Sequence, residues 1–260
     1  MIKFQSNILL ANHTTFRVGG AARYFFDARD KDDLVRAVFF AKEKGLPFFI
    51  LGGGSNLLVS DEGFDGVVVL ANNKEIRANK NKITTEAGAR LSDLVRLSIE
   101  NNLTGLEWAV GIPGTIGGAV KVNAHAFGSD ISQLVKNIEK EDNIIFSVEL
   151  ELKKGDKEKS EKLIREYFIK RKETQPLNYP SAGCIFKNPP GRFAGKLIDD
   201  CGLKGERIGE AEISKKHANF IINLGGARAK DIAALIALAK NEVKKKFGVD
   251  IKEEIERVGF

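Results

Sequence analysis

The stretch Leu51-Gly52-Gly53-Gly54-Ser55-Asn56-Leu57-Leu58 directly follows the apolar run Phe48-Phe49-Ile50-Leu51. Three consecutive glycines weaken any helix or strand interior, so a strand that enters them must end there. The bare backbone can then approach a neighbouring segment or a bulky anion, to which successive N–H groups and the Ser55 hydroxyl can donate. The spacing matches neither the dinucleotide fingerprint of a Rossmann unit nor a Walker A lysine pattern. A tight structural turn and a phosphate cradle both satisfy this composition. A second cluster, Gly111-Ile112-Pro113-Gly114-Thr115-Ile116-Gly117-Gly118-Ala119, repeats the device. Two glycine loops in one chain, each beside an apolar strand, are what a dinucleotide pyrophosphate held between two subdomains requires. Trp108, just upstream, suits either a core position or a stacking platform.

The flanking patterns place these loops. Ala22–Asp27 reads as a strand, and Asp30 is a good N-cap for a helix whose apolar positions are Leu34, Val35, Val38, Phe39 and Ala41, closed by Gly45 before Pro47. With Phe48–Leu51 this forms a β-α-β unit. Beyond Gly66 come short runs (Val67–Leu70, Glu75–Arg77, Lys82–Glu86), a helix over Ser92–Asn101 and a strand over Ile144–Leu152. Lys153–Glu173 is mixed in charge, but Leu163, Ile164, Tyr167 and Phe168 have helical spacing. Pro176, Pro180, Pro189 and Pro190 mark a boundary, and a last helix runs from Lys230 to Phe247 with Ile232, Leu235, Ile236, Leu238, Ala239 and Val243 on its apolar side. The pattern is α+β with at least two modules.

A chain of 260 residues with 43% hydrophobic and 29% charged side chains can bury a sizeable core. Lys and Arg total 41 against 35 Asp and Glu, a net +6, but the signs are interleaved nearly everywhere. That describes a solvated surface, with no nucleic-acid footprint expected. No apolar run approaches a membrane span and the start, Met1 to Ser6, lacks a signal-peptide core, so a cytoplasmic protein is expected. Cys184 and Cys201 could form at most one bridge, and neither has metal-ligand spacing with the three histidines. Neither a disulfide scaffold nor a metal site is expected.

Together, Asn12-His13-Thr14-Thr15-Phe16-Arg17-Val18-Gly19-Gly20, the loops Gly52–Leu58 and Gly111–Gly118, Ser181-Ala182-Gly183-Cys184-Ile185-Phe186-Lys187-Asn188-Pro189 and His217-Ala218-Asn219-Phe220 resemble the UDP-N-acetylenolpyruvoylglucosamine reductase family of bacterial cell-wall synthesis. The resemblance runs from about Asn12 to the C-terminus. It implies a two-lobed FAD-binding domain of the vanillyl-alcohol-oxidase-like type plus a C-terminal α/β substrate-binding domain. The implied regions are an FAD lobe over 1–60 joined by a tail over 249–260, a second FAD lobe over 61–173 and a substrate domain over 174–248. It further implies FAD as bound cofactor, NADPH as co-substrate and a UDP-sugar substrate, in a monomer that serves peptidoglycan synthesis and so cell shape and division, with no nucleic acid or membrane span involved. FAD would be held by Gly52, Gly53, Gly54, Ser55, Asn56, Leu57, Gly111, Ile112, Thr115, Gly117 and Gly118.

In such enzymes hydride passes from NADPH through FAD to C3 of an enolpyruvyl ether, while a protein acid gives C2 a proton. The family's acid is a serine, and this chain has Cys184 at that position. A thiol, pKa about 8.5, is a stronger acid than an aliphatic hydroxyl yet is mostly protonated at neutral pH, so it can donate. Lys187 and Asn188 would contact phosphate or sugar, Arg171, His217 and Asn219 would line the substrate side, and Cys201 would be structural. The ending Val249–Gly259 resembles the family's Leu-Glu-Pro-Glu-Val-Arg-x-x-Gly, which registers Glu254 with its catalytic glutamate. Glu253 then replaces the proline and Glu256 the arginine. A larger departure lies between Gly128 and Lys153, where the family's Tyr-Arg-x-Ser motif has no counterpart. No arginine occurs from Asn101 to Ile164. Lys187, Arg171 and Arg192 are the cations available to replace it, and the rival expectation is a flavin- or sugar-nucleotide-binding protein that has lost the reaction.

Overall fold

A computed structural model of the chain describes residues 3–260. Met1 and Ile2, the start of the N-terminal stretch read above, lie outside the described residues. The chain forms two compact units. One comprises Lys3, Phe4, Phe25–Gly53 and Val67–Arg171, and the other Gln5–Tyr24, Gly54–Gly66 and Lys172–Phe260.

In the first unit, Asp30 caps helix α1 (Lys31–Glu43), its carboxylate accepting from the Asp33 N–H at 2.8 Å. Leu34, Ala37, Val38 and Ala41 are the buried stripe, and Gly45, with φ +61°, ends the turn that follows. The strand Phe48–Leu51 pairs in parallel with Val67–Leu70. The expected β-α-β unit is therefore split, because the strand Phe64–Ala71 lies between its two strands in the sheet.

The rest of that unit is a four-stranded antiparallel sheet in the order Val135–Glu141, Ile144–Glu151, Lys82–Glu86, Ile76–Asn79. In Ile144–Glu151 alternate residues, Phe146, Val148 and Leu150 among them, face the core. Val148 and Leu150 meet Leu91 and Leu94 of helix α2 (Leu91–Glu100), together with Leu106, Trp108 and Ile116 at the start of helix α3 (Ile116–Val122). The mixed-charge segment starts its helix later than expected, because Lys153-Lys154 first form a short strand against Leu103-Thr104. Helix α4 (Lys157–Thr174) follows. Ile164 and Tyr167 pack inward, Tyr167 stacking on Phe127 with ring centroids 4.0 Å apart, whereas Phe168 is half exposed.

In the second unit a three-stranded antiparallel sheet, Arg207–Ile208, Ala211–Ile213 and Ile221–Asn223, carries helices α5 (Ala194–Asp200) and α6 (Ala229–Phe247). The stripe Ile232, Leu235, Ile236, Ala239 and Val243 of α6 is buried against Ala211, Ile213, Ile221, Leu197 and Ile198. The C-terminal strand Glu256–Val258 pairs in parallel with Leu57–Val59. Asn223 donates from Nδ2 to the Phe16 carbonyl at 2.9 Å, tying this sheet to the N-terminal motif. Compactness thus groups residues 5–24 and 54–66 with 172–260. Among the described residues no helix is long and apolar enough to cross a membrane.

Candidate active site

Several glycines of the two loops are demanded by close approach or by backbone conformation. In the first unit a β-carbon on Gly52 would lie 2.6 Å from Thr115 Oγ1, and one on Gly53 would lie 2.6 Å from the Gly114 α-carbon. Gly111 and Gly114 hold φ of +72° and +126°, which L side chains rarely adopt. Thr115 caps α3, its hydroxyl accepting from the Gly118 N–H at 3.4 Å. Gly117 lies against Ala87, and its N–H donates to the Ala87 carbonyl at 2.9 Å.

Between these loops lies a cavity of about 530 Å³, lined by Gly52, Gly53, Leu70–Asn72, Lys74, Gly88, Arg90, Ser92 and Gly111–Thr115. Gly52, Gly53, Gly111, Ile112 and Thr115 were expected here. The Gly88–Ser92 turn was not. A β-carbon on Gly88 would stand 2.4 Å from the Ala71 carbonyl oxygen, and Arg90 bridges Thr115 in an antiparallel contact. Its signal was present in Glu86-Ala87-Gly88-Ala89-Arg90, a third place where a strand meets a glycine and then a helix. Lys74 carries no comparable signal. Lys74 and Arg90 place two cations on a cavity wall otherwise made of backbone and small side chains, which suits a large anionic ligand such as a dinucleotide.

Arg171 is not the surface cation that a charged helix would suggest. It is 7% exposed. Its guanidinium donates to the Trp108 carbonyl at 3.3 Å and lies 5.1 Å from the Phe127 ring centroid, and its Cδ stands 3.3 Å from where a Gly111 β-carbon would be. It holds the approach to the second glycine loop, in the first unit. Trp108 is a core residue, 3% exposed. Glu107 next to it is a buried staple that sequence reasoning missed. Its carboxylate accepts from Ser160 Oγ at 2.6 Å, Thr104 Oγ1 at 2.7 Å and the Gly105 N–H at 2.8 Å. Burial pushes this carboxyl up, but those hydrogen bonds outweigh it and hold the group below the usual glutamate range.

In the second unit, Gly54 (φ +61°) presses on the N-terminal motif, where an added β-carbon would lie 1.9 Å from the His13 carbonyl oxygen. Thr15 donates its N–H to the Gly54 carbonyl at 3.0 Å. Asn56 receives the tail: its Nδ2 donates to the Glu254 carbonyl at 3.0 Å, and its own carbonyl accepts from the Glu256 N–H at 2.9 Å. The tail also runs beside the Cys184 segment, Glu254 donating its N–H to the Ile185 carbonyl at 2.8 Å and Lys252 accepting from the Lys187 N–H at 2.9 Å. Phe186 and Glu253 face each other across this antiparallel bridge. The backbone of Glu254 therefore pairs with Ile185, the residue after Cys184, and Glu254 and Cys184 are both half-buried.

His217 and Asn219 lie behind that segment. Asn219, 3% exposed, accepts from the Phe186 N–H at 2.9 Å and donates to its carbonyl at 2.8 Å. Its amide is thus engaged in fixing the Cys184–Asn188 strand, a positioning task in place of the expected substrate contact. Asn188 accepts from the Ala194 N–H at 3.0 Å, while Lys187 is exposed. His217 accepts at Nδ1 from the Asn219 N–H at 3.2 Å, which leaves the proton on Nε2. Burial, and then the Lys204 charge, push the His217 imidazolium pKa down. The ring is accordingly a neutral donor at pH 7, not a cation for phosphate. Cys201 is half-buried in the apolar cluster, and burial pushes its thiol up, in keeping with a structural role. A second cavity, of about 380 Å³, opens on this unit among Lys172, Gln175, Tyr179, Arg207, Lys215 and Lys216. Lys187 and Asn188 do not line it.

Where the family's Tyr-Arg-x-Ser stretch would lie, Val135–Glu141 turns at Asp142 (φ +50°) directly into Ile144–Glu151. The hairpin is closed, and it contains no arginine.

Comparison with known proteins agrees with this arrangement. Residues 22–146 match the model of an FAD binding domain, and residues 175–258 match that of the C-terminal domain of UDP-N-acetylenolpyruvoylglucosamine reductase. The reductase of Clostridium novyi is 40% identical over 284 aligned positions, covering 99% of this chain and 92% of the relative. That of Caldicellulosiruptor saccharolyticus is 43% identical, covering 99% and 93%. The solved reductase of Thermus caldophilus superposes with a TM-score of 0.85 at 35% identity, covering 99% of this chain and all of that one.

Proposed function

The chain belongs to the UDP-N-acetylenolpyruvoylglucosamine reductase family and is an FAD-dependent oxidoreductase, and we propose that Cys184 and Glu254 carry its reaction on the enolpyruvyl ether. The reaction is the NADPH-dependent reduction of UDP-N-acetylglucosamine enolpyruvate to UDP-N-acetylmuramate, a step of peptidoglycan precursor synthesis. The observation that supports this assignment is the backbone pairing of Glu254 with Ile185, which ties the tail carrying the carboxylate to the half-buried segment carrying the thiol. Rigid placement of this kind is what a proton transfer to a specific carbon needs.

The residues of the first cavity fit FAD: its glycine walls admit backbone approach and its two cations, Lys74 and Arg90, suit a diphosphate. Bound FAD supplies the hydride relay, from NADPH to C3 of the enolpyruvyl group. The Cys184 thiol gives its proton to C2, becoming a thiolate that solvent reprotonates, so that one hydride and one proton complete the saturated ether. Glu254 holds and polarises the enolpyruvyl group. Lys187, exposed in the same segment as Cys184, would meet the substrate's negative charge, and Arg171 is buried against the second glycine loop. By role we divide the chain into FAD lobes over 1–60 with 249–260 and over 61–173, and a substrate region over 174–248, acting as a cytoplasmic monomer. Nothing in the site or the relatives favours a protein that has lost the reaction.

The test is optical. Anaerobic NADPH should bleach the flavin absorbance of the purified protein, and the enolpyruvyl substrate should restore it with one equivalent of the lactyl ether. Absorbance that stays bleached in the presence of substrate would overturn the reading.

A further inference from the structure

Glu253 stands where the family's ending carries proline, and its carboxylate, with the side chain 17% exposed, is gripped from two sides. Arg257 donates to it from Nε at 2.8 Å and from a terminal nitrogen at 3.2 Å, and Lys240 of α6 donates from Nζ. The clip thus fastens the tail to α6. The same residue faces Phe186, and the two hydrogen bonds flanking that contact use the N–H groups of Glu254 and Lys187, not that of Glu253. The ladder would therefore lose nothing to a proline at this position.

We propose that Glu253 is a positioning residue for the substrate reaction, its two-cation clip fixing the register of Glu254 against the segment Cys184–Lys187. The proposal rests on the reading of Cys184 and Glu254 as the reacting pair. A rigid ring would limit the backbone by restricting φ, whereas this chain limits it by ion pairing. Lys240 and Arg257 are 39% and 34% exposed, so concentrated salt reaches the pairs and weakens them. Displacement of a reacting group by about 1 Å can cost about 100-fold in rate, so a loosened clip is felt in chemistry before it is felt in folding.

The experiment uses the full-length, FAD-loaded enzyme as wild type, Glu253→Gln, Glu253→Pro, Lys240→Met and Glu254→Gln. Single-turnover bleaching by NADPH and recovery on adding substrate are timed at low salt and in 1 M KCl, alongside amide exchange at Glu254. Glu253→Gln and Lys240→Met should slow the substrate step about tenfold, leave the NADPH step and the melting temperature near wild type, and speed exchange at Glu254. Glu253→Pro should recover the substrate step and be less salt-sensitive than wild type. Unchanged exchange at Glu254 in Glu253→Gln, or a substrate step within twofold of wild type while Glu254→Gln lowers it, overturns the proposal. A substrate step untouched by Glu254→Gln instead removes the reading of Glu254, and amide exchange then decides the clip alone.

Discussion

Gly53 faces Gly114 so closely that a β-carbon on Gly53 would stand 2.6 Å from the Gly114 α-carbon. Gly53→Ala cannot be absorbed by a side-chain rotation, since the obstacle is backbone. The substitution should cost about 1–3 kcal/mol and separate the two loops that wall the FAD cavity. Gly118→Ala is the internal control for folding: the nearest atom is 3.6 Å away, and alanine is favoured over glycine in a helix by about 0.8–1.0 kcal/mol. Thermal melting should fall for Gly53→Ala and hold or rise for Gly118→Ala, and the flavin absorbance per mole of purified protein should drop in the former.

Cys184 as proton donor predicts an ordering of variants. Serine keeps an exchangeable proton and should retain measurable turnover. Alanine should slow the substrate-dependent recovery of flavin absorbance about 100- to 10,000-fold, the usual span for a general acid, while bleaching by NADPH continues. A thiol reagent should inactivate the wild type, with substrate protecting it. Full activity after stoichiometric alkylation of Cys184, confirmed by mass spectrometry, would falsify the assignment.

Glu107 makes the first unit acid-sensitive. Its folded pKa is depressed, so its contribution is present above the ordinary glutamate pKa and is lost as the pH falls through the folded value. Glu107→Gln should destabilise the protein at pH 7 by about 1–3 kcal/mol, because an amide cannot accept from Ser160, Thr104 and Gly105 as the carboxylate does. The gap between wild type and variant in urea unfolding should then close between about pH 5 and pH 3. A constant gap across that range would mean that the carboxylate's charge is irrelevant.

Asn219→Asp removes a donor and keeps an acceptor. The Phe186 carbonyl would lose its partner and a charge would be left buried, at a cost of about 1–3 kcal/mol or more. Because Asn219 positions the Cys184 strand, the variant should also lower the substrate step more than the NADPH step in single-turnover kinetics.

Local elements were largely legible. Asp30, Gly45 and Pro47 bracket α1 as their cap and breaker chemistry predicts, and the apolar stripe of α6 is the buried one. What sequence could not show was order in space. Nothing local tells that Phe64–Ala71 inserts between the strands of the first β-α-β unit, since strand order is a long-range choice. Arg171 illustrates the same limit in the site. In a helix rich in charge, one cation among many carries no mark of burial, and only the fold reveals Trp108 and Phe127 around it. Asn219 was found by its motif but assigned to a ligand, because an amide's partner cannot be read from its own position. Glu253 is marked in the sequence only as a replacement for proline, and its partner Lys240, 13 residues upstream, is revealed by the fold alone.

The second unit is assembled from residues 5–24, 54–66 and 172–260, with the last strand, Glu256–Val258, hydrogen-bonded to Leu57–Val59. A ribosome delivers these pieces in order, and although residues 5–24 meet residues 54–66 early, most of the apolar cluster around Phe16, from Ala182 to Ile255, follows much later. The first unit's longest piece, Val67–Arg171, is complete much earlier and can condense while synthesis continues. The half of the molecule that carries Cys184 and Glu254 is therefore the last to be completed, and a chain cut before Glu254 would lose that carboxylate and the tail strand together.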